Sequence, residues 1–303
     1  MSRSRTVKVG VLTVLALVLA AAVQTHAAYV TPKIGGSQMG HMQAPMIMPE
    51  IFFDGKGMRV VDANGLPWSA SAWSRVPVLR PLVSPDAFDP NQPWAVLIGK
   101  AYNFQYGWDA ALLDTVTHPF PPGSAIWLKV LSRTPGLEVY FKDGGYAPLF
   151  GTLGAEGKPS PDIWRWDKRM QHNTYAVPES FYGRLSADYK IYLGDAATGQ
   201  EFVDAAGLPL YESAVVTLRW LRPCPNLLQG DINSDCVVDS NDLLLLADKW
   251  LSPPCSAPDW CGECDINRDG TLDMVDMTLL MDNWHIDCRQ SALDPARMQK
   301  PGS

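Results

Sequence analysis

The sequence predicts a mostly β protein, in which an antiparallel β-sandwich body precedes a small α-helical C-terminal module. One observation is a series of about seven short runs in which apolar and polar residues alternate. A second is the high content of turn-forming residues, with 24 Gly and 25 Pro. A third is an internal repeat near the C-terminus, where two acidic loops are each followed by an apolar stripe of helical period.

The body is expected to span residues 51–223, which is long enough for one good core. Few helix signals interrupt it, so short strands joined by turns favour a sandwich. In the last strand, alternate residues from Ala214 to Trp220 are expected to share one face. The predicted strands are 58–62, 94–100, 102–108, 125–131, 137–142, 189–193 and 214–221.

The N-terminal segment is predicted to direct export. A basic start is followed by an apolar stretch over 9–23, and small residues precede Ala28, so 1–27 is typical of a cleaved signal peptide. An uncleaved anchor is the alternative, but the apolar stretch is short for a membrane span. Residues 28–50, rich in Met, Gly and Pro, are expected to form a flexible lead-in. We therefore expect a secreted or surface-exposed protein with no transmembrane segment after cleavage.

Charge and cysteine content separate the module from the body. Residues 224–303 contain 14 acids and 5 bases, whereas residues 28–223 contain 18 acids and 17 bases. All six cysteines lie between Cys224 and Cys288. The net charge of −7 argues against nucleic-acid binding through a broad basic surface. The module is assigned to residues 224–288, and the polar tail 289–303 is expected to be disordered.

The two acidic loops, 231–242 and 265–276, are offset by 34 residues. Oxygen-bearing side chains recur at loop positions 1, 3, 5, 9 and 12, and position 7 would contribute its backbone carbonyl. In the first loop these positions are Asp231, Asn233, Asp235, Val237, Asp239 and Asp242. In the second they are Asp265, Asn267, Asp269, Thr271, Asp273 and Asp276.

Such oxygen ligands, without His or Cys, favour Ca²⁺ over Zn²⁺. Ca²⁺ also accepts this flexible geometry, whereas Mg²⁺ gives up its water reluctantly. The loops therefore predict two Ca²⁺ sites, and a solvated acidic turn is the alternative. No organic cofactor is predicted.

Residues 230–286 resemble the dockerin family, whose members are EF-hand-like modules. The resemblance rests on the duplicated Asp-x-Asn-x-Asp loops, on Asp at position 12 and on one helix after each loop. The resemblance implies a calcium-stabilised domain that binds a cohesin domain on a scaffold or cell surface. It also implies an association with secreted polysaccharide-degrading or carbohydrate-binding proteins. Partner choice in the family depends on loop positions 10 and 11, which are Ser240, Asn241, Met274 and Val275 here. Cys236 replaces the usual Gly at position 6, and its Cβ disfavours the sharp turn expected there in the first loop.

The six cysteines suggest three disulfides in an exported module, with 15 possible pairings. The alternative is a zinc site built from Cys261 and Cys264 with Cys255 and Cys288. Such a small module would gain stability from disulfides.

A row of alternating aromatic residues is the most distinctive feature of the body. Strict alternation places Tyr102, Phe104, Tyr106 and Trp108 on one face, and Trp164 and Trp166 repeat the pattern. Flat rings on a surface could stack on sugars, so these six are candidate ligand-binding residues. An aromatic-rich sandwich core is the alternative and is favoured.

No catalytic residue is assigned. The body's His118 and His172 lack a nucleophile motif, and none of its acids stands out as half of a catalytic pair, including Asp109, Glu138, Asp162, Asp167 and Glu179. The favoured function is calcium-dependent tethering of a non-catalytic sandwich, with carbohydrate as its candidate ligand, to a cohesin partner or cell surface, in connection with polysaccharide degradation. The alternatives are a β-sandwich glycoside hydrolase or related polysaccharide-active enzyme, and a structural surface protein.

Overall fold

The computed structural model describes residues 29–36, 44–70, 75–225, 228–252 and 254–291. The predicted signal peptide, part of the lead-in and most of the predicted disordered tail lie outside these residues. Within them, the chain forms antiparallel sheets followed by short helices, which confirms the predicted fold class.

Two larger sheets and one two-stranded sheet form the body. The first large sheet has the order β11-β10-β5-β8. The second has the order β3-β9-β6-β7, with β4 also paired to β9, and β1 pairs with β2. The strands are β1 (Glu50–Phe53), β2 (Met58–Val61), β3 (Lys100–Asn103), β4 (Gly107–Trp108), β5 (Ser124–Arg133), β6 (Glu138–Phe141), β7 (Ala147–Leu149), β8 (Ile163–Trp166), β9 (Gln171–Pro178), β10 (Gly183–Asp195) and β11 (Ala214–Arg222).

The main core lies between the two large sheets. Tyr189 and Leu218 enter it from the first sheet, and Tyr175 and Val177 enter it from the second. All four side chains are fully buried. In β11, buried residues alternate with more exposed ones from Val216 to Trp220, as the sequence predicts.

Strand β9 is buried on both faces. Tyr175 and Val177 face the main core, whereas Ala176 belongs to a second buried cluster with Tyr102 and Tyr140. This strand therefore separates two hydrophobic cores within the body.

Two predicted strands are wrong. Residues 94–100 were expected to be extended, but Pro93–Leu97 forms a 3-10 helix, for which the fixed φ of Pro93 at its first turn is suited. Residues 102–108 were expected to form one strand, but regular pairing stops after Asn103 and resumes at Gly107. The break changes which face the following side chains occupy.

The described part of the lead-in packs on the body, contrary to the expected flexibility. Ile34 is 2% exposed, and its carbonyl accepts a hydrogen bond from the Phe104 N–H at 2.9 Å. Ile47 forms a parallel bridge with Tyr106, and its N–H donates to the Gln105 carbonyl at 2.9 Å. The reason is that Ile34 belongs to the second core, whereas Ile47 packs against the main core and pairs with an otherwise open strand edge.

Four short helices belong to the module: α1 (Ser240–Asp248), α2 (Trp260–Glu263), α3 (Met274–Met281) and α4 (Cys288–Ser291). Its core contains Ile232, Val238, Leu246 and Leu280, so both repeats contribute buried residues. In the part of the chain that the structure describes, no helix has both the length and the apolar character that crossing a bilayer requires.

Candidate metal centre and partner surface of the C-terminal module

The two acidic loops have the same internal hydrogen bonds at position 1. The carboxylate of Asp231 accepts the N–H groups of Asp235 and Cys236, both at 3.0 Å. In the second loop, Asp265 accepts the N–H groups of Asp269 at 3.2 Å and of Gly270 at 2.9 Å. Each position-1 carboxylate therefore fixes the turn of its own loop.

Positions 9 and 12 join each loop to its helix. Asp239 is the N-cap residue of α1, and the Asp242 carboxylate accepts the Asp239 N–H at 2.9 Å. In the second loop, Asp273 is the N-cap residue of α3, and the Asp276 carboxylate accepts the Asp273 N–H at 3.0 Å. These reciprocal bonds form capping boxes. Acidic residues at a helix N-terminus are also favoured by the helix dipole.

The left-handed turn at position 6 exists in both loops. Cys236 has φ 77° and Gly270 has φ 95°. The Cβ of Cys236 disfavours this turn in the first loop, because a residue with a Cβ rarely adopts the left-handed conformation. The structure shows that Cys236 adopts it, so the substitution does not change the loop's path.

Two arginines lie near carboxylates of the first loop. Arg184 interacts electrostatically with Asp242, and Arg289 interacts with Asp235. Burial, with a smaller contribution from Asp242 and Asp235, raises the pKa of Asp231 to about 6. Burial also raises the pKa of Asp242, which is fully buried.

The chemistry of this donor set fits a hard cation, because each loop offers carboxylate and amide oxygens at its ligand positions, with no His or Cys among them, and the position-12 carboxylates are buried. In the structure the loop carboxylates accept backbone N–H groups and are not gathered at one point. Among the described residues, the three side chains that bring metal-ligating atoms within 4.8 Å of one another are those of Cys224, Cys236 and Cys288.

The residues predicted to contact a partner lie on the module's surface. Ser240 and Asn241 at the start of α1 are exposed. At the start of α3, Met274 is 65% exposed and Val275 is 49% exposed. The two repeats therefore present different surfaces, one polar and one apolar.

Two loop–helix units with matching hydrogen bonds and a shared core define the module. Residues 229–283 match the family model of the dockerin type I domain. Dockerin domains bind calcium and cohesin domains, and proteins that carry them are typically extracellular or attached to the cell surface. No curated protein matches the chain. The body lies outside the dockerin match and is unrecognised.

The cysteine pairing differs from both sequence-based alternatives. Cys255 is bonded to Cys261, and Cys264 is a free, buried thiol. Cys224, Cys236 and Cys288 lie in one buried cluster, with their sulfur atoms within 4.8 Å of one another, and three cysteines can form only one disulfide among themselves. Three separate disulfides are therefore not formed. The proposed zinc group is also not formed, because Cys255 and Cys261 are joined to each other while Cys288 lies in the other cluster.

The candidate ligand-binding aromatics are mostly core residues. Tyr102 and Phe104 lie in the second core, whereas Tyr106, Trp108 and Trp166 lie in the main core, and all five are buried. The expected single face is wrong because the strand is interrupted between Asn103 and Gly107. Trp164 is partly buried and packs against Phe141 and Phe150. The five buried rings present no surface on which a sugar could stack, whereas part of Trp164 remains exposed.

The body's polar candidates make structural contacts. Glu138 forms an ion pair with Lys100 and accepts a hydrogen bond from Tyr140 Oη at 2.7 Å. His172 Nδ1 lies 2.9 Å from the Phe104 carbonyl, which can only accept, so the neutral ring has its proton on Nδ1. Burial lowers the pKa of His172. These contacts single out no acid–base pair.

The junction between the body and the dockerin domain was not predicted from the sequence. Arg184 of β10 donates from Nη2 to the Gly262 carbonyl at 3.1 Å. Beside it lies a cleft of about 320 Å³, whose lining includes Asp231 and Asp265, the position-1 acids of both loops. No pattern in the sequence could have indicated Arg184, because its contact depends on how the two units pack.

Proposed function

We propose that this is a secreted protein in which the dockerin domain tethers the β-sandwich body to a cohesin domain, on a scaffold or surface, in a calcium-dependent manner. The observation that supports the proposal most directly is the family match over two loop–helix units with equivalent hydrogen bonds. A link to polysaccharide degradation follows from the kind of protein that carries dockerin domains, and it is part of the proposal.

We propose one Ca²⁺ in each loop. Positions 1, 3, 5, 9 and 12 would supply side-chain oxygens, and the Val237 and Thr271 carbonyls would supply position 7. A bound Ca²⁺ would offset two of the four negative charges that the carboxylates bring to each loop. Since Asp242 and Asp276 are fully buried and complete the capping boxes of α1 and α3, binding at position 12 would stabilise the helices as well as the loops.

Calcium stoichiometry tests the two sites separately. Equilibrium dialysis of the chain against ⁴⁵Ca²⁺ should give two bound ions. Asp242→Ala and Asp276→Ala should each remove one. Asp248→Ala is the matched control, because Asp248 is an exposed acid of α1 that pairs with Lys249 outside the loop. Two ions bound by both loop variants would contradict the assignment.

The partner is expected to contact the exposed starts of α1 and α3. Met274 and Val275 offer the larger apolar area, so Met274→Asp should weaken binding more than Ser240→Asp. The assay is surface plasmon resonance against a panel of purified type I and type II cohesin domains, with Ca²⁺ and with EGTA. Equal binding with Ca²⁺ and EGTA, or none to any cohesin by a protein that binds Ca²⁺, would refute calcium-dependent tethering.

The body is proposed to be the non-catalytic cargo of the tether. A glycan array probed with the chain, with Ca²⁺ and with EGTA, tests whether it also binds carbohydrate. Since the aromatic row is buried, glycan binding through it is not expected. Release of reducing sugar from a polysaccharide panel would instead support the enzyme alternative.

A further inference from the structure

The two acidic loops have the same internal hydrogen bonds but different surroundings. Ligand positions 3, 5 and 7, the middle positions of each loop, are half-buried in the first loop and exposed in the second. These residues are Asn233, Asp235 and Val237 in the first loop and Asn267, Asp269 and Thr271 in the second. Position 1 does not share this difference, because Asp265 is only 1% exposed. The asymmetry therefore concerns the middle of each loop.

The body covers the middle of the first loop with the start of β10. Gly183 is buried, and a Cβ built there would lie 3.4 Å from the Cβ of Asp235 and 3.8 Å from the carbonyl oxygen of Asn233. The φ of Gly183 is 120°, which residues with a side chain rarely adopt. Glycine therefore allows the backbone of β10 to lie close against the first loop.

The next residue, Arg184, places a positive charge of the body among acids of the dockerin domain. Its Nη2 donates to the Gly262 carbonyl at 3.1 Å. It also interacts electrostatically with Asp242, which is position 12 of the first loop, and with two acids of the segment between the repeats. Because residues 224–303 contain 14 acids and 5 bases, a cation from the body complements their charge. Arg184 therefore links β10 both to the first loop and to the segment between the repeats.

A second arginine lies near the first loop from the end of the dockerin domain. Arg289 interacts electrostatically with Asp235, and its Nε and Nη2 donate to the Asp287 carboxylate at 2.8 and 2.9 Å. In the second loop, Arg268 pairs at 3.2 Å with Glu263, which is not at a ligand position. Positive charge of the chain therefore reduces the repulsion among the carboxylates of the first loop even when no calcium is bound.

We propose that the body holds the first loop in its folded form without calcium, through Gly183 and Arg184, so that calcium orders mainly the second loop. This inference rests on the two calcium sites of the proposed function and adds that the sites are not equivalent. Met274 and Val275, which form the apolar part of the partner surface, belong to the second loop. Calcium therefore controls partner binding chiefly through the second repeat.

Amide hydrogen exchange of the whole chain, resolved by residue with NMR, tests the proposal because the loops contain equivalent reporters. These are the N–H groups at positions 5 and 6, which bond to the position-1 carboxylate in both loops. They belong to Asp235 and Cys236 in the first loop and to Asp269 and Gly270 in the second. In EGTA, protection factors should be at least about 5-fold larger in the first loop, the factor that one hydrogen bond contributes. Calcium should raise those of the second loop more.

Two arginine substitutions separate the body's contribution from other causes of order. In EGTA, Arg184→Met should lower the protection of the first loop about 5-fold and leave that of the second loop unchanged. Arg268→Met is the matched control, because it removes an exposed arginine of the dockerin domain, and it should leave the first loop unchanged. Full protection of the first loop in Arg184→Met would overturn the proposal and assign this order to the cysteine cluster around Cys236.

The starts of the two helices show whether calcium acts on the partner surface. The Asn241 N–H bonds to the Asp239 carboxylate, and the Val275 N–H bonds to the Asp273 carboxylate in the same way. Calcium should raise protection more at Val275 than at Asn241. Equal protection of the two loops in EGTA, or an equal response to calcium, would overturn this inference and leave the two calcium sites intact. No response of either loop to calcium would contradict the proposed function as well.

Discussion

Replacing Trp108 with alanine is expected to destabilise the body by about 4 kcal/mol. The Trp108 side chain is fully buried in the main core, and its ring centroid lies 5.6 Å from that of Tyr189 in the opposite sheet. A buried tryptophan removes about 150–250 Å² from water, which at about 25 cal/mol/Å² corresponds to about 4–6 kcal/mol. Measured Trp→Ala changes in cores lie at about 3–5 kcal/mol.

Two substitutions serve as controls for Trp108→Ala. Trp108→Phe keeps a ring against Tyr189, and Trp108 Nε1 has no hydrogen-bond partner to lose. It should therefore cost less than half as much. Leu66 is 61% exposed, so Leu66→Ala should change stability by less than about 0.5 kcal/mol.

Urea unfolding, followed by far-UV circular dichroism, measures these differences, and the glycan array is repeated with each variant. Trp108→Ala should lower the unfolding midpoint strongly, with Trp108→Phe in between. If Trp108→Ala unfolded with the wild-type midpoint but lost glycan binding, Trp108 would be a ligand-binding residue, and the assignment of the aromatic row to the core would be refuted.

The remaining predictions concern His172, Gly107 and Arg184. Burial holds the folded-state pKa of His172 below its ordinary value of 6.5, so protonation of this side chain opposes folding. The body should therefore lose stability as pH falls below about 6.5. His172→Gln should reduce that loss, as measured by urea unfolding midpoints at pH 7.5 and pH 5. A Cβ on Gly107 would lie 2.7 Å from the His172 ring, so Gly107→Ala should cost about 1–3 kcal/mol, whereas Gly154→Ala, whose nearest neighbour would lie at 3.6 Å, should cost less. Arg184→Met removes the hydrogen bond to Gly262 and should lower the stability of the dockerin domain by about 1 kcal/mol. In EGTA, the domain should therefore melt at a lower temperature. An unchanged melting temperature would show that this contact contributes nothing.

The positions of the two dockerin loops, and of the helix that follows each, could be predicted from the sequence because their determinants are local. Asp at position 1 bonds to N–H groups four and five residues ahead, and Asp at position 12 bonds back to position 9. Short-range bonds of this kind follow from residue spacing alone. The alternation in β11 could be predicted for the same reason.

The centre of the body could not be predicted, because burial there depends on tertiary packing. Strand β9 begins Gln-His-Asn-Thr and reads as polar, yet Asn173 and Thr174 are fully buried between the two cores. Strand β7 was missed because it is only three residues long. The prediction that the aromatic row shares one face of a strand was wrong. Two residues of irregular backbone change the face on which the later side chains lie, although aromatic and other residues still alternate along the sequence.

The bridges formed by the first part of the body determine when it can fold during synthesis. Gly57 is bridged to Glu212, and Val78 to Leu221, so segments near the start of the body pair with residues near its end. A chain that emerges from its N-terminus must therefore wait for β11 before these segments have partners. Up to that point the main core lacks Val216, Leu218 and Trp220 of β11. Its other apolar residues therefore stay exposed, so the nascent chain should require a chaperone or rapid export until residue 222 has emerged.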